Sequence, residues 1–266
     1  MGSGKENVML EGIKAIIFDC DGVLWKGESI IPGSAETVTT LREKGFLIYF
    51  LTNNSTKSVC QYRKKFVSFK IKAEENEIIT SARVASSFLK EKKVTTVHVV
   101  GEEGLVTEIT ANGMIVDSTR NNCQAVAVGM DRQLTYDKIA LAAQNVINGA
   151  LFIGTNPDPN FPSERGIIPG AGSCIAAVET AAERKVDYQL GKPNSVMFEP
   201  IARTGLKAKE CLMVGDRIVT DILFAKNTGC KSLLVKTGLG KQEFERFPNI
   251  KPDYILQTVT DINQYL

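Results

Sequence analysis

The chain is short of the residues on which much metal and nucleophile chemistry depends. His98 is its only histidine, which argues against a histidine-based triad and against a histidine-ligated metal centre. It falls in the strand-like run Val94-Thr95-Thr96-Val97-His98-Val99-Val100, where it reads as a packed side chain. None of the six cysteines forms a Cys-x-x-Cys pair, so neither a zinc site nor a disulfide framework is expected. They read as free, mostly buried thiols of a reducing cytosol. No apolar run reaches 18 residues, so no membrane-spanning helix is expected. The polar start, Met1 to Asn7, has no apolar core of a signal peptide, and the expected location is the cytoplasm. With 32 basic and 30 acidic residues the net charge is only +2, which predicts neither nucleic acid nor a membrane surface as partner. Chemistry is left to carboxylates, hydroxyls, amides and lysines.

What is present is a soluble, globular composition: 266 residues, 43% hydrophobic and 23% charged, enough for one large domain or two modest ones. The most informative stretch is Ile16-Ile17-Phe18-Asp19-Cys20-Asp21-Gly22-Val23-Leu24. A buried-strand pattern ends in two aspartates one residue apart. Buried carboxylates are costly unless compensated, so the pair points to a metal, a reacting phosphate, or both. Cys20, between them, is expected to point into the core.

Strand and helix patterns alternate around this motif. Lys14 to Cys20 predicts a strand, Ser34 to Lys44 a helix with Ser34 as N-cap and Gly45 as stop, Phe46 to Leu51 a second strand, and Thr56 to Phe69 a second helix. The C-terminal third repeats the rhythm: strand Cys211 to Asp216, short helix Thr220 to Asn227 stopped by Gly229, strand Lys231 to Lys236, and a last strand Tyr254 to Leu256. This alternation predicts an α/β fold with a parallel sheet. Functional groups of such sheets gather beyond the carboxyl ends of the strands. Asp19, Thr52 and Asp216 each sit at such an end. The middle of the chain, 81–186, is long enough for a domain of its own. Strands are expected there at Val94–Val100, Met114–Val116, Ala125–Val128 and Ala150–Ile153. Helices are expected at Leu105–Asn112, Tyr136–Asn148 and Ala171–Arg184.

Asp19, Asp21, Asp216 and Asp221 gathered in one cleft would repel strongly without a cation, and oxygen-only ligands suit Mg²⁺. Lys192, in Gly191-Lys192-Pro193, offers a fixed positive charge, and Thr52 with the amides around Asn53 offers hydrogen-bond donors to phosphoryl oxygens. Each piece also has a bland reading. Asp21-Gly22 fits a simple turn, Asn53-Asn54-Ser55 a helix cap, Lys192 a surface lysine, and Asp216 with Asp221 the N-terminal end of a helix. Trp25 reads as a packing or flap residue, and Pro169-Gly170-Ala171-Gly172-Ser173 as the start of a helix without a Walker lysine.

Taken in order, Asp19-Cys20-Asp21-Gly22-Val23-Leu24, Leu51-Thr52-Asn53-Asn54, Gly191-Lys192-Pro193 and Gly215-Asp216-Arg217 with Thr220-Asp221-Ile222 resemble the four motifs of the haloacid dehalogenase (HAD) superfamily. Gly154-Thr155-Asn156-Pro157-Asp158 and Pro169-Gly170-Ala171-Gly172-Ser173 are further similar to its 4-nitrophenylphosphatase branch, which includes phosphoglycolate phosphatase, pyridoxal phosphatase and the bacterial NagD proteins. The resemblance implies a HAD-like Rossmannoid parallel-sheet core, 12–80 and 187–266, with an inserted α/β cap at 81–186. It implies a Mg²⁺-dependent phosphatase acting on small-molecule phosphate esters, with 4-nitrophenyl phosphate and phosphoglycolate-like esters foremost. Asp19 would be the nucleophile and Asp21 the general acid and base. Asp19, the main-chain carbonyl of Asp21 and Asp216 would hold the metal. Thr52, Asn53, Asn54 and Lys192 would bind the phosphoryl group, and Asp221 would orient Lys192 or a metal-bound water. Phe161 and Arg165 fall on the cap loop that selects substrates in relatives. Phe161 stands where pyridoxal phosphatase carries a histidine, which argues against pyridoxal phosphate, although a pyridoxal phosphate phosphatase stays an alternative. Arg165 would face a substrate carboxylate, or solvent. A homodimer through the cap is also implied. A non-catalytic phosphate-binding protein of the same fold is the rival reading, opposed by the intact acids and lysine. A mutase is opposed by the spacing, since only about 30 residues separate Asp21 from Thr52 and leave no room for a helical cap.

Overall fold

The computed structural model describes residues 9–163 and 166–266, and the side chains of all of these except Pro162 and Ser163. The chain divides into two compact units. The first takes the chain up to Thr52, then Arg63–Ile78 and Lys192–Leu266; the second takes Asn53–Tyr62 and Ile79–Gly191.

A six-stranded sheet in the order Tyr254–Leu256, Lys231–Val235, Cys211–Gly215, Ala15–Phe18, Leu47–Thr52, Ile78–Thr80 carries the first unit, and the unit boundary falls after Ile78 of its edge strand. Ala15–Phe18 pairs in parallel with Cys211–Gly215 on one side and with Leu47–Thr52 on the other. A strand so placed is buried on both faces, which is why its sequence is an unbroken apolar run rather than an alternation. Every residue of Ala15–Phe18 is inaccessible to solvent, and so is Cys20, as its place between the aspartates predicts.

The first helix, Ser34–Glu43, differs from its sequence reading at one end. The N-cap is Gly33, in the left-handed region at φ 78°, and Ser34 is the first helical residue. The Ser34 hydroxyl donates instead to the Leu24 carbonyl at 3.0 Å, so its hydrogen-bonding capacity is spent on the loop behind the aspartates. Gly45, at φ 90°, ends the helix as expected. The second helix, Val59–Ser68, begins later than predicted, because Asn54 first closes a turn by accepting from the Thr56 amide at 2.9 Å and hydroxyl at 2.7 Å. The predicted helix Thr220 to Asn227 is a π-turn, Ile218–Ile222, that runs into the α-helix Leu223–Thr228. Such π-turns recur at functional sites.

The second unit carries its own five-stranded parallel sheet, ordered Tyr188–Gln189, Leu151–Gly154, Ala125–Val128, Thr96–Val100, Ile115–Val116. Its helices are Ser81–Glu91, Glu103–Ala111, Tyr136–Ile147 and Ala171–Ala182. Val126, Val128, Phe152, Ile175 and Val178 lie in one apolar cluster between sheet and helices. His98 is a packed strand residue, 2% exposed, with Nδ1 against the Asp117 carbonyl at 3.2 Å. The segment read from sequence as a loop around Phe161 is an antiparallel hairpin, Asn160–Ser163 with Gly166–Pro169. Of the six cysteines only Cys60 is exposed. No helix among the described residues is long and apolar enough to cross a membrane.

Candidate active site

The parallel register of the first unit brings three strand ends together. Asp19 follows Ala15–Phe18 directly, its amide donating to the Val214 carbonyl at 2.9 Å. Thr52 ends one neighbouring strand and Asp216 follows the other, both buried. Lys192 enters from a distant part of the chain. Its Nζ donates to Asp19 Oδ1 at 2.6 Å, to Asp221 Oδ1 at 2.7 Å and to the Leu51 carbonyl at 3.1 Å. The Lys192 side chain is 3% exposed and that of Asp221 is 1% exposed, so this is a desolvated ion pair and no surface lysine.

Ligand-type oxygens of Asp19, Asp216 and Asp221 all lie within 4.8 Å of one another. Asp19 and Asp221 share the Lys192 ammonium, Asp216 lies close to both, and the crowding shows in the ionisation of Asp19 and Asp216. Burial, with the neighbouring Asp221 charge adding to it and Lys192 opposing it, pushes Asp19 up to about 7. Burial, then the charges of Asp19 and Asp221, hold Asp216 well above the usual carboxylate range. Burial alone would lower the Lys192 ammonium, but the Asp19 and Asp221 carboxylates more than reverse this and keep it protonated.

The donor set fits a hard divalent cation. Asp216 Oδ2 accepts from the Leu239 amide at 2.7 Å, while its Oδ1 is buried with no hydrogen-bond partner among the described residues. A buried carboxylate oxygen without a donor is costly unless a cation completes it. Asp221 differs. Its Oδ1 accepts from Lys192 and its Oδ2 from the Arg217 amide at 3.0 Å, so both oxygens already have donors.

Two of the glycines here show how closely the acidic loops approach. Gly22 has φ 89°, and a Cβ on it would collide with the Asp216 carboxylate; a Cβ on Gly215 would collide with Asp221. The glycine after Asp21 therefore lets the first acidic loop approach the third strand end, beyond making a turn.

Some participants carry no signal that the sequence reading used. The loop after the strand Lys231–Val235 closes against the acids: besides the Leu239 amide, the Thr237 hydroxyl donates to the Gly22 carbonyl at 2.6 Å. Buried Glu243 accepts from the amides of Ile218 at 3.1 Å and Val219 at 3.4 Å and so fixes the start of the π-turn that carries Asp221. That loop is a fourth parallel strand end, and Thr237-Gly238-Leu239-Gly240 there was the available clue. Trp25, read as packing, does pack, but its Nε1 also donates to Asp21 Oδ1 at 3.0 Å.

The other predicted residues belong to the second unit. Asn53 Nδ2 donates to Asp158 Oδ2 at 2.9 Å, and Asn156 Nδ2 donates to the same oxygen at 2.8 Å. Asn54 makes the turn described above. Phe161 is half-buried and pairs with Ile168 across the hairpin. Arg165 lies outside the described residues.

A parallel α/β sheet whose strand ends present clustered aspartates and one buried lysine defines a phosphoryl-transfer class of site. Residues 16–115 match the family model described as haloacid dehalogenase-like hydrolase, and residues 189–262 match a second, HAD-hydrolase-like model. The 5'-nucleotidase YutF of Bacillus subtilis is 37% identical over 255 residues, covering 95% of this chain and 98% of its own. The sugar-phosphatase AraL of the same organism is 36% identical over 251 residues, covering 94% and 92%. The solved p-nitrophenyl phosphatase from Archaeoglobus fulgidus superposes with a TM-score of 0.89 at 34% identity, covering 96% of this chain and 99% of that one. The chain belongs to the haloacid dehalogenase-like hydrolases, in the branch of the 4-nitrophenylphosphatases and NagD, and is a phosphoric monoester hydrolase acting on small molecules.

Proposed function

We propose that this hydrolase cleaves small phosphate monoesters with Mg²⁺ through an aspartyl-phosphate on Asp19, with aryl and phosphoglycolate-like esters as leading substrates. The observation that carries the reading is the buried contact of Asp19 Oδ1 with Lys192 Nζ at 2.6 Å, together with the Asp216 Oδ1 that has no hydrogen-bond partner among the described residues.

Asp19 attacks phosphorus in line, and the ester P–O bond breaks. Asp21 gives its proton to the departing oxygen. Water then attacks the acyl phosphate; Asp21 takes a proton from it, inorganic phosphate leaves and the Asp19 carboxylate is restored. Lys192, protonated throughout, faces the phosphoryl oxygens with a charge that Asp221 holds in place. Thr52 and Asn53 donate hydrogen bonds to the same oxygens. Mg²⁺, held by Asp19, the Asp21 main-chain carbonyl and Asp216, would supply the positive charge that keeps Asp19 ionised and offsets charge on the phosphoryl group. The activities for which the relatives are named, on nucleotides, sugar phosphates and nitrophenyl phosphate, support small esters as a class. Phe161 and Arg165 are the residues that would discriminate among them.

The test is phosphate release from 4-nitrophenyl phosphate in Mg²⁺ buffer. Asp19→Asn should abolish it while the protein stays folded by circular dichroism. Turnover undiminished in that variant would sink the nucleophile assignment.

A further inference from the structure

The single tryptophan of the chain is placed against the general acid of the proposed reaction. Trp25 is fully buried. Its ring lies edge-on to Phe66, with centroids 5.1 Å apart, and tilted against Phe69 at 5.5 Å. Lys65 Nζ sits 4.8 Å from the ring centroid and donates to the Gly27 carbonyl at 2.7 Å, which fixes the other edge of the short hairpin Trp25–Lys26 with Ser29–Ile30. An indole N–H can only donate, and buried it needs an acceptor. The acceptor is a side-chain oxygen of the exposed Asp21, at 3.0 Å. The backbone closes the same link: the Gly22 amide donates to the Trp25 carbonyl at 2.7 Å.

We propose that Trp25 is a positioning residue: its N–H holds Asp21 Oδ1 and so presents Oδ2 as the oxygen that passes the proton to the leaving group. Rotation about the side-chain bonds of an aspartate exchanges its two oxygens, and a fixed donor on one of them opposes that exchange. A fixed donor on Oδ1 makes it the acceptor-only oxygen of the neutral acid, which leaves the proton on Oδ2. The rigid stack of Trp25, Phe66, Phe69 and Lys65 means that Asp21 is ordered before substrate arrives, the preorganisation on which proton transfer depends. The inference rests on the phosphatase reading for the role of Asp21, although the contact itself does not.

Two measurements test it. The first compares kcat/KM for an alkyl phosphate, whose alkoxide must be protonated to leave, with that for 4-nitrophenyl phosphate, whose phenolate needs little help. Trp25→Phe keeps an aromatic ring and removes the donor. It should lower kcat/KM about tenfold for the alkyl ester and less than about threefold for the nitrophenyl ester. Replacing Trp25 biosynthetically by benzothienylalanine, which exchanges the N–H for sulfur at nearly constant shape, should give the same selective loss if the phenylalanine variant folds poorly. The second measurement is the indole N–H resonance, of which a one-tryptophan chain has one. Asp21→Ala should move it upfield as the hydrogen bond is lost. An equal loss on both esters, no loss on either, or an unmoved resonance overturns the inference while the phosphatase reading stands. Wild-type protein that hydrolyses neither ester defeats the phosphatase reading itself, and the inference with it.

Discussion

Lys192 and Asp221 form a buried ion pair, Nζ to Oδ1 at 2.7 Å, in which neither side chain is more than 3% exposed. Asp221 is anchored from behind by the Arg217 amide. The pair fixes where the one ammonium of the site points, and that direction is toward Asp19.

Removing the lysine should therefore harm both stability and activity. In Lys192→Met the buried carboxylates of Asp19 and Asp221 lose the ammonium they share, and a broken buried pair costs about 3–5 kcal/mol. Thermal unfolding in chelator should show a lower midpoint than wild type, and turnover of 4-nitrophenyl phosphate should fall by roughly a hundredfold or more. A midpoint at or above that of wild type would mean that the ammonium does not compensate these acids.

Asp216→Asn should move stability the other way. Burial and neighbouring charge disfavour the ionised form of Asp216, and asparagine keeps an acceptor for the Leu239 amide while removing the charge. The metal-free variant should be more stable by about 1 kcal/mol, and calorimetric Mg²⁺ binding should disappear. Binding that persists unchanged would place the metal elsewhere.

Mg²⁺ affinity should depend on pH with a known sign. The carboxyl of Asp19 is raised from 3.8 to about 7, and the cation takes only the ionised form. Apparent affinity should rise by at least about tenfold per pH unit below 7, since the Asp216 carboxyl is raised as well, with proton release on binding. Because the raised carboxyl favours the neutral state, metal-free protein should lose stability from this group as pH rises from about 4 to about 7. Isothermal titration at several pH values and melts in chelator check both. An affinity flat across pH 5–7 would show that Asp19 is already ionised without metal.

Gly22→Ala tests the close approach of the two acidic loops. The substitution forces a left-handed alanine and drives its Cβ into the Asp216 carboxylate. A loss of about 1–3 kcal/mol in urea unfolding is expected, together with weaker Mg²⁺ binding. A variant with wild-type stability and affinity would show that the two loops move apart freely.

The central motif was legible because chemistry and pattern coincide in it. An apolar run ending in Asp19 and Asp21 marks a buried parallel strand with charge at its mouth, and the structure puts Asp19 there, beside Thr52 and Asp216. Lys192 was legible only as part of an ordered set, since nothing local to Gly191-Lys192-Pro193 says that its ammonium is buried against residues far along the chain. Ser34 was misplaced because a serine before a helical pattern is a strong cap signal, while the positive φ of Gly33 and the carbonyl of Leu24 are invisible in sequence. The π-turn has the sequence pattern of a plain helix, and the Glu243 carboxylate that accepts from its first amides lies far along the chain. The Leu239 amide had no side-chain signature, and the Trp25 N–H was hidden inside a residue whose size alone accounts for its burial.

The most direct test of the mechanism is rapid-quench mass spectrometry of the Mg²⁺-loaded enzyme during turnover of 4-nitrophenyl phosphate. A peptide spanning Asp19 should appear heavier by one phosphoryl group within the first turnover, vanish when substrate is exhausted, and be absent from Asp19→Asn. Full turnover with no phosphorylated peptide at any time, or a phosphoryl group on another residue, would contradict covalent catalysis by Asp19.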